Sequence, residues 1–267
     1  MEKKLILAIH AALEAGEAIL KIYNDPNSDF GIERKSDNSP LTIADKAAHN
    51  VIMGYLTQLD FPIISEEGKN MAYADRKDWA ELWMVDPLDG TKEFIKKNGE
   101  FTVNIAFIEN GTPTMGVIYV PVQKALYFGD KSLGAYRVDN ITFTHPSVEL
   151  VDIIAKGVKL PETRTDNAYR VVASRSHQSQ ETIDYIEMLK KTHSKLEFVN
   201  SGSSIKICMV AEGSADVYPR FAPTMEWDTA AGHALAIAAG KEIYHTHKDT
   251  PLTYNKENLL NPHFIVK

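Results

Sequence analysis

Cysteine is almost missing from this chain: its 267 residues include one, Cys208. A single thiol excludes an internal disulfide and fits a reducing compartment. Set in the apolar stretch Ile205 to Val210, Cys208 reads as a small buried hydrophobe. Long apolar runs are also missing, and no stretch approaches the ~18 residues that a membrane-spanning helix needs. The start, MEKKLILAIHAALEAGEAIL, places two lysines before apolar residues as a signal peptide does, but Glu14 and Glu17 break the run too early. The expectation is a cytoplasmic protein, with peripheral attachment to the inner membrane face left open. Positive charge is in short supply, with 29 Lys and Arg against 36 Asp and Glu for a formal net charge of -7. That balance argues against a broad nucleic-acid or membrane-binding face, so any anion site must be local. The Walker A loop, the dinucleotide-binding glycine fingerprint, His-Glu-x-x-His and Gly-x-Ser-x-Gly are all absent.

The apolar pattern that is present alternates between helix and strand periods. Leu5, Ile9, Leu13, Ile19 and Tyr23 form a helical stripe ending in the turn-forming Asn24 to Ser28, and a second helix is expected over 43–59. Short apolar runs at 61–65, 82–85, 101–108, 114–120, 124–128 and 135–138 read as strands. Asn110-Gly111-Thr112 matches a glycosylation sequon but reads better as a hairpin turn. Between 141 and 167 the pattern weakens around Pro146 and Pro161, which suggests an N-terminal half at 1–150 and a C-terminal half at 151–267. Beyond it, strands at 169–173, 196–199 and 215–218 alternate with helices at 180–190, 203–211 and 227–239. The chain is thus a layered α/β protein whose strand order cannot be read from the pattern.

Three acidic clusters follow apolar segments: Ser65-Glu66-Glu67, Asp86-Pro87-Leu88-Asp89-Gly90-Thr91 and Glu226-Trp227-Asp228. Strand ends are where α/β folds build sites, and converging carboxylates are most naturally held by hard divalent cations, magnesium foremost. Pro87 removes a donor and sets a turn, while Gly90 permits an unusual backbone angle. Spacing alone leaves Asp86 and Asp89 evenly divided between metal ligands and residues that merely initiate turns or cap the following helix. For Asp45, spacing favours the cap, because Thr42-Ile43-Ala44-Asp45 is a capping box. A solvated loop position is the expectation for Glu67.

Cations stand in Ser- and Gly-rich segments: Lys35, Arg175 and His177, Lys206 within Gly202-Ser203-Ser204-Ile205-Lys206, and Arg220. Gly202-Ser203-Ser204 at a helix start offers amides and hydroxyls to an anion. Each feature alone is bland, because a surface Lys or Arg is usually just solvated and a serine pair before a helix is usually only a cap. His245 and His247 read as a surface pair.

With these residues in place the chain resembles the inositol monophosphatase-like superfamily of magnesium-dependent, lithium-sensitive phosphatases. The resemblance lies in Glu66-Glu67, then Asp86-Pro87-Leu88-Asp89-Gly90-Thr91, then Trp227-Asp228 in that order. Longer stretches such as KSDNSPLTIADKAAH, SRSH, GSSIK and EWDTAAGHA resemble the bacterial 3′(2′),5′-bisphosphate nucleotidase branch, as does Lys92-Glu93-Phe94 after Thr91.

The resemblance implies an α/β (α+β) fold, a layered αβαβα sandwich with a site between its halves. It implies two or three Mg2+ ions held by Glu66, Asp86, the Leu88 carbonyl, Asp89 and Asp228, with Li+ as inhibitor. Asp45 and Thr91 become the pair that activates water, with Glu66 beside them in catalysis. His177, Ser203, Lys206 and Arg220 would contact the nucleotide, and Gly90, Ser174 and Asp228 would lie beside it. The implied reaction is hydrolysis of 3′-phosphoadenosine 5′-phosphate, a small-molecule substrate rather than a nucleic acid. An inositol or sugar monophosphate phosphatase with the same core is the nearest rival, and a non-catalytic nucleotide sensor is the rival of another class. A nucleic-acid phosphodiesterase is disfavoured by the acidic balance.

Overall fold

The computed structural model describes residues 2–35, 39–143, 149–173 and 179–267. The chain opens with α1 (Glu2–Tyr23), whose apolar stripe is buried, followed by the short β1 (Glu33–Arg34) and β2 (Pro40–Leu41) and by α2 (Ile43–Leu56). Then come β3 (Ile63–Ser65), α3 (Tyr73–Arg76), β4 (Glu81–Asp89), α4 (Thr91–Ile95), β5 (Thr102–Glu109), β6 (Thr112–Val120), β7 (Ala125–Asp130), β8 (Gly134–Val138), α5 (Leu150–Ala155) and β9 (Val158–Leu160). Strands β3 to β9 pair in sequence order, antiparallel except for β3 with β4. The β5–β6 connection is the expected hairpin, with both Asn110 and Gly111 at positive φ.

Period-2 alternation explains how helices cover both faces of this sheet. Trp83, Val85, Val103, Ile105, Phe107, Val117 and Phe128 join one core with α1, α2 and α5. Their neighbours Leu82, Met84, Ala106, Ile118 and Tyr127 join a second core on the other face.

The rest of the chain builds that second side: β10 (Tyr169–Ala173), α6 (Gln180–Thr192), β11 (Leu196–Asn200), α7 (Ile205–Glu212), β12 (Tyr218–Arg220), α8 (Glu226–Ala238), β13 (Ile243–His245) and β14 (Phe264–Val266). Helix α8 lies directly on the large sheet, and a Cβ on Gly116 would sit 2.2 Å from the Ala231 carbonyl oxygen, so the approach requires glycine. Strands β10 and β11 pair in parallel, β14 pairs between β12 and β13, and a bridge between Val171 and Val217 joins the two groups. Val172, Tyr218 and Phe264 face α7 and α8, whereas Val171 and Val217 pack with Leu189 of α6. The layers are therefore αβαβα.

Several element bounds differ from the sequence expectation. The second helix stops at Leu56, the helix expected from 203 starts at Ile205, and the strand expected at 215–218 is Tyr218–Arg220. The weak 141–167 stretch contains α5 and β9, and β13 and β14 are additional. These additions are three to six residues long. Strands that short are defined by the partner they reach, not by a readable period. Among the described residues no helix is long and apolar enough to cross a membrane.

Candidate active site

Asp86 and Asp89 are separated by an odd number of positions, so on a regular strand they would face opposite sides. The pairing of β4 with β5 shows how the chain avoids this. Asp86 stands opposite Asn104 and Asp89 opposite Thr102, so three steps on β4 match two on β5. One extra residue is a bulge, and it brings both aspartates to the face shared by Thr102 and Asn104. Pro87 falls where a lost backbone donor is tolerated, while Leu88 turns into the opposite core and its N–H donates to Asp86 Oδ1 at 3.0 Å. The expected turn at Pro87 is thus a bulge inside a strand that continues to Asp89.

Gly90 follows with φ +95°, and a Cβ there would lie 3.1 Å from the Glu100 carbonyl and 3.3 Å from Ser203 Cβ. Glycine is required for the angle and for the closeness. It starts α4, which is anchored by Phe94, fully buried among Phe30, Tyr23 and Phe101 at ring distances of 4.8, 5.3 and 5.4 Å. That anchor fixes the helix whose first residue is Thr91.

Asp45 caps α2 and also accepts a bond from Thr91. Its Oδ2 accepts the Thr42 N–H at 2.8 Å and the Thr42 hydroxyl, completing the capping box, and its Oδ1 accepts the Thr91 hydroxyl at 3.1 Å. Burial raises the Asp45 carboxyl above its ordinary value against the pull of the Thr42 bonds, and the Glu67 charge adds to the rise.

Glu67 differs from the expectation of a solvated loop position. Its side chain is only 9% exposed, because the Lys35 ammonium bonds both it and Glu66, the latter at 2.7 Å. Burial raises the Glu67 carboxyl while Lys35 opposes the rise. The adjacent acids Glu66-Glu67 carried this signal, but the cation that pairs them lies 31 residues upstream of Glu66.

The remaining carboxylates, Asp86 and Asp89 of β4 and Asp228 of α8, lie close enough to raise one another. Asp86 is 1% exposed, and its carboxyl is held well above the usual range by burial and then by Glu66, Asp89 and Asp228. Asp89 is pushed up to about 6 by burial, against the pull of Lys206 and of the Ser204 N–H, which it accepts at Oδ2 at 2.6 Å. That amide, expected to be free for an anion, instead holds Asp89. Asp228 sits in the first turn of α8, where its Oδ2 accepts the Met225 N–H at 2.9 Å, and burial and Asp89 raise its carboxyl well above the usual range. Glu226, grouped with Asp228 in the sequence, points elsewhere: it is fully buried against the backbone of Asn255 and Lys256.

Among the described residues, no group of three or more His, Cys, Asp or Glu is arranged so that it could hold a metal ion as it stands. The donor chemistry still suits a hard divalent cation. The groups are all oxygen, and the three aspartates, each with its carboxyl raised, need positive charge if they are to stay ionised side by side.

Asp89 and Asp228 lie on the wall of a cavity of about 500 Å³, together with Gly90, Ser203, Lys206 and Arg220. Lys206 is 7% exposed, 5.6 Å from the Tyr218 ring centroid, and burial pushes it down to about 8 while Asp89 opposes and Arg220 assists. Arg220 donates from Nη2 to the Pro223 carbonyl at 3.2 Å, leaving its buried Nε without a partner. The Ser203 hydroxyl is likewise buried and unpartnered, on a backbone at φ +43°. Such atoms are costly to bury unless a ligand reaches them. Ser174 and His177 lie outside the described residues.

An αβαβα sandwich with clustered carboxylates beside a cavity lined by the buried Lys206 and the half-buried Arg220 has the build of a phosphate-handling α/β protein. The chain belongs to the inositol monophosphatase family, whose model matches residues 1–264. A 3′(2′),5′-bisphosphate nucleotidase CysQ from Salmonella typhimurium is 43% identical over 258 residues, 96% of each chain. A protein of the same name from Haemophilus influenzae is 33% identical over 259 residues, covering 96% of this chain and 89% of its own. The crystal structure of CysQ from Bacteroides thetaiotaomicron, described as a bacterial member of the family, superposes with a TM-score of 0.93 at 58% identity, covering 100% of this chain and 97% of that one. The suhB protein of Bartonella henselae shares the fold at 20% identity and a TM-score of 0.71, over 97% of this chain and 91% of that one.

Proposed function

We propose that this protein hydrolyses 3′-phosphoadenosine 5′-phosphate to AMP and phosphate in the cytoplasm, with two or three Mg2+ ions and inhibition by Li+. The observation that carries the reading is one cavity with the carboxylates of Asp89 and Asp228, the buried Lys206 and the half-buried Arg220 on its wall. Full-length relatives that bear the nucleotidase name support it.

Magnesium, taken up by Glu66, Asp86, the Leu88 carbonyl, Asp89 and Asp228, would neutralise developing phosphate charge and lower the pKa of water. The chain's own residues supply direction. Because Thr91 gives its hydroxyl proton to Asp45, its oxygen lone pairs are left to accept from a water, whose own lone pair then faces phosphorus. Asp45 is an acceptor poised to take the proton on through Thr91. The departing 3′-oxygen gains a proton as phosphate forms. Lys206, Arg220 and the Ser203 hydroxyl bind the second phosphate and the nucleoside, with Gly90 leaving room beside Asp89. Ser174 and His177 belong to the same proposed contact set.

The test compares hydrolysis of the bisphosphate nucleotide and of inositol 1-phosphate, each with and without magnesium. Strong preference for the nucleotide supports the reading. Preference for inositol 1-phosphate would transfer it to the monophosphatase branch, and no magnesium-dependent phosphate release from either would leave a binding protein.

A further inference from the structure

The segment from Tyr254 to Asn261 lies outside the regular elements, yet it touches two of the three carriers of the acidic cluster, the β3–β4 connection and α8. On one side Arg76, 3% exposed at the end of α3, donates from Nη1 to Asn255 Oδ1 at 2.8 Å and to the Lys256 carbonyl at 2.7 Å. Its Nη2 reaches the Glu257 carbonyl at 3.0 Å, and Asn255 Nδ2 donates back to the Arg76 carbonyl at 2.8 Å. Helix α3 belongs to the β3–β4 connection, and that connection opens with Glu66.

On the other side the buried Glu226 accepts the Asn255 N–H at 2.6 Å and the Lys256 N–H at 3.1 Å, and it also pairs with the Lys256 ammonium. Asn261 Nδ2 donates to the Met225 carbonyl at 2.7 Å and to Thr229 Oγ1 at 3.0 Å. The first turn of α8 is thus gripped at 225, 226 and 229, while Asp228 reaches the cavity wall. Asn255 is the common point: its side chain is held by Arg76 and its backbone by α8.

We propose that Arg76, Asn255 and Glu226 form a positioning clasp that fixes the connection carrying Glu66 against the helix turn carrying Asp228, and so sets how tightly the acidic cluster takes a divalent cation. The inference rests on the cation-site reading above. Carboxylates drawn together repel one another, so their spacing must be imposed from outside, and groups behind the ligands commonly govern metal affinity for this reason.

Asn255→Gly tests the clasp. Asn255 has φ +63°, a conformation glycine adopts freely, and the variant keeps the N–H that Glu226 accepts while losing both side-chain bonds to Arg76. Asn255→Asp keeps an acceptor for the guanidinium. Arg76→Lys keeps the charge but loses the fork. Mg2+ binding to the full chain is measured by titration calorimetry, and metal-free stability by urea unfolding. The clasp requires magnesium affinity about tenfold weaker in Asn255→Gly, with Arg76→Lys weakened in the same direction and Asn255→Asp largely restored. Metal-free stability should change little in Asn255→Gly. Wild-type affinity in Asn255→Gly, or Asn255→Asp as weak as Asn255→Gly, overturns the clasp alone. Absence of magnesium binding by the wild-type protein overturns the clasp and the cation-site reading together.

Discussion

The Thr91 hydroxyl donates to Asp45 Oδ1 at 3.1 Å while the other oxygen of the same carboxylate closes the cap of α2 on Thr42. One side chain therefore stabilises a helix start and orients a hydroxyl 46 residues away. The two duties separate by substitution. In Asp45→Asn an amide can still offer an oxygen to the Thr42 N–H but presents a donor to Thr91, so kcat should fall by about 10²–10⁴. Loss of stability should stay within about 1 kcal/mol, the range of a weakened cap. Turnover assays and thermal unfolding on one preparation check both, and an unchanged kcat removes Asp45 from the mechanism.

Asp89 ties the end of β4 to the start of α7, accepting the Ser204 N–H while facing the cavity. Asp89→Asn keeps the size and a hydrogen-bond acceptor but removes the charge. It should abolish nearly all activity and leave the circular dichroism spectrum intact. Near-normal turnover at saturating magnesium would refute its role as a ligand.

Stability should depend on pH in a sense opposite to that of a salt-bridged carboxylate. Asp89 is raised from 3.8 to about 6 by burial, against Lys206 and the Ser204 N–H, and burial also raises Asp86 and Asp228 well above the usual range. The folded state therefore binds protons more tightly than the unfolded state. The stability this confers is fully present below the unfolded value of 3.8 and is lost as pH rises through about 6. Metal-free protein should show a falling Tm between pH 5 and 7, and added magnesium should raise Tm more at pH 7 than at pH 5. A metal-free Tm that is flat across this range in wild-type protein would contradict the shared burial of these acids.

Much of the fold was legible because the long elements bury one or both faces. The α1 stripe, the β5–β6 hairpin and the alternating C-terminal half follow from apolar period and turn residues. The site was legible where ligand types cluster in the chain, as in Asp86 to Thr91. What the sequence withheld depends on distant partners. Nothing local says that a bulge turns Asp86 and Asp89 to one face, that Lys35 draws in Glu67, or that Glu226 turns away from Asp228 toward Asn255. Asp45 shows the converse: its local signal was a true cap, and only the position of Thr91 in space adds its second role.

Lys206 and Arg220 face the same cavity, and their chemistry should separate by pH. Arg220→Ala should raise KM for the nucleotide, by roughly tenfold to a hundredfold if one charge-assisted bond worth about 1.5–3 kcal/mol is lost. Lys206 is lowered to about 8 by burial, with Asp89 opposing and Arg220 assisting. Below that value the ammonium is present for the anionic substrate; above it the free enzyme offers a neutral amine. In wild-type protein kcat/KM should therefore fall as pH rises through about 8. Lys206→Gln should lower kcat/KM at pH 7 and flatten that alkaline limb, whereas Arg220→Ala removes one of the influences that depress Lys206 and should shift the limb to higher pH. A limb that survives unchanged in Lys206→Gln would assign the titration to another group.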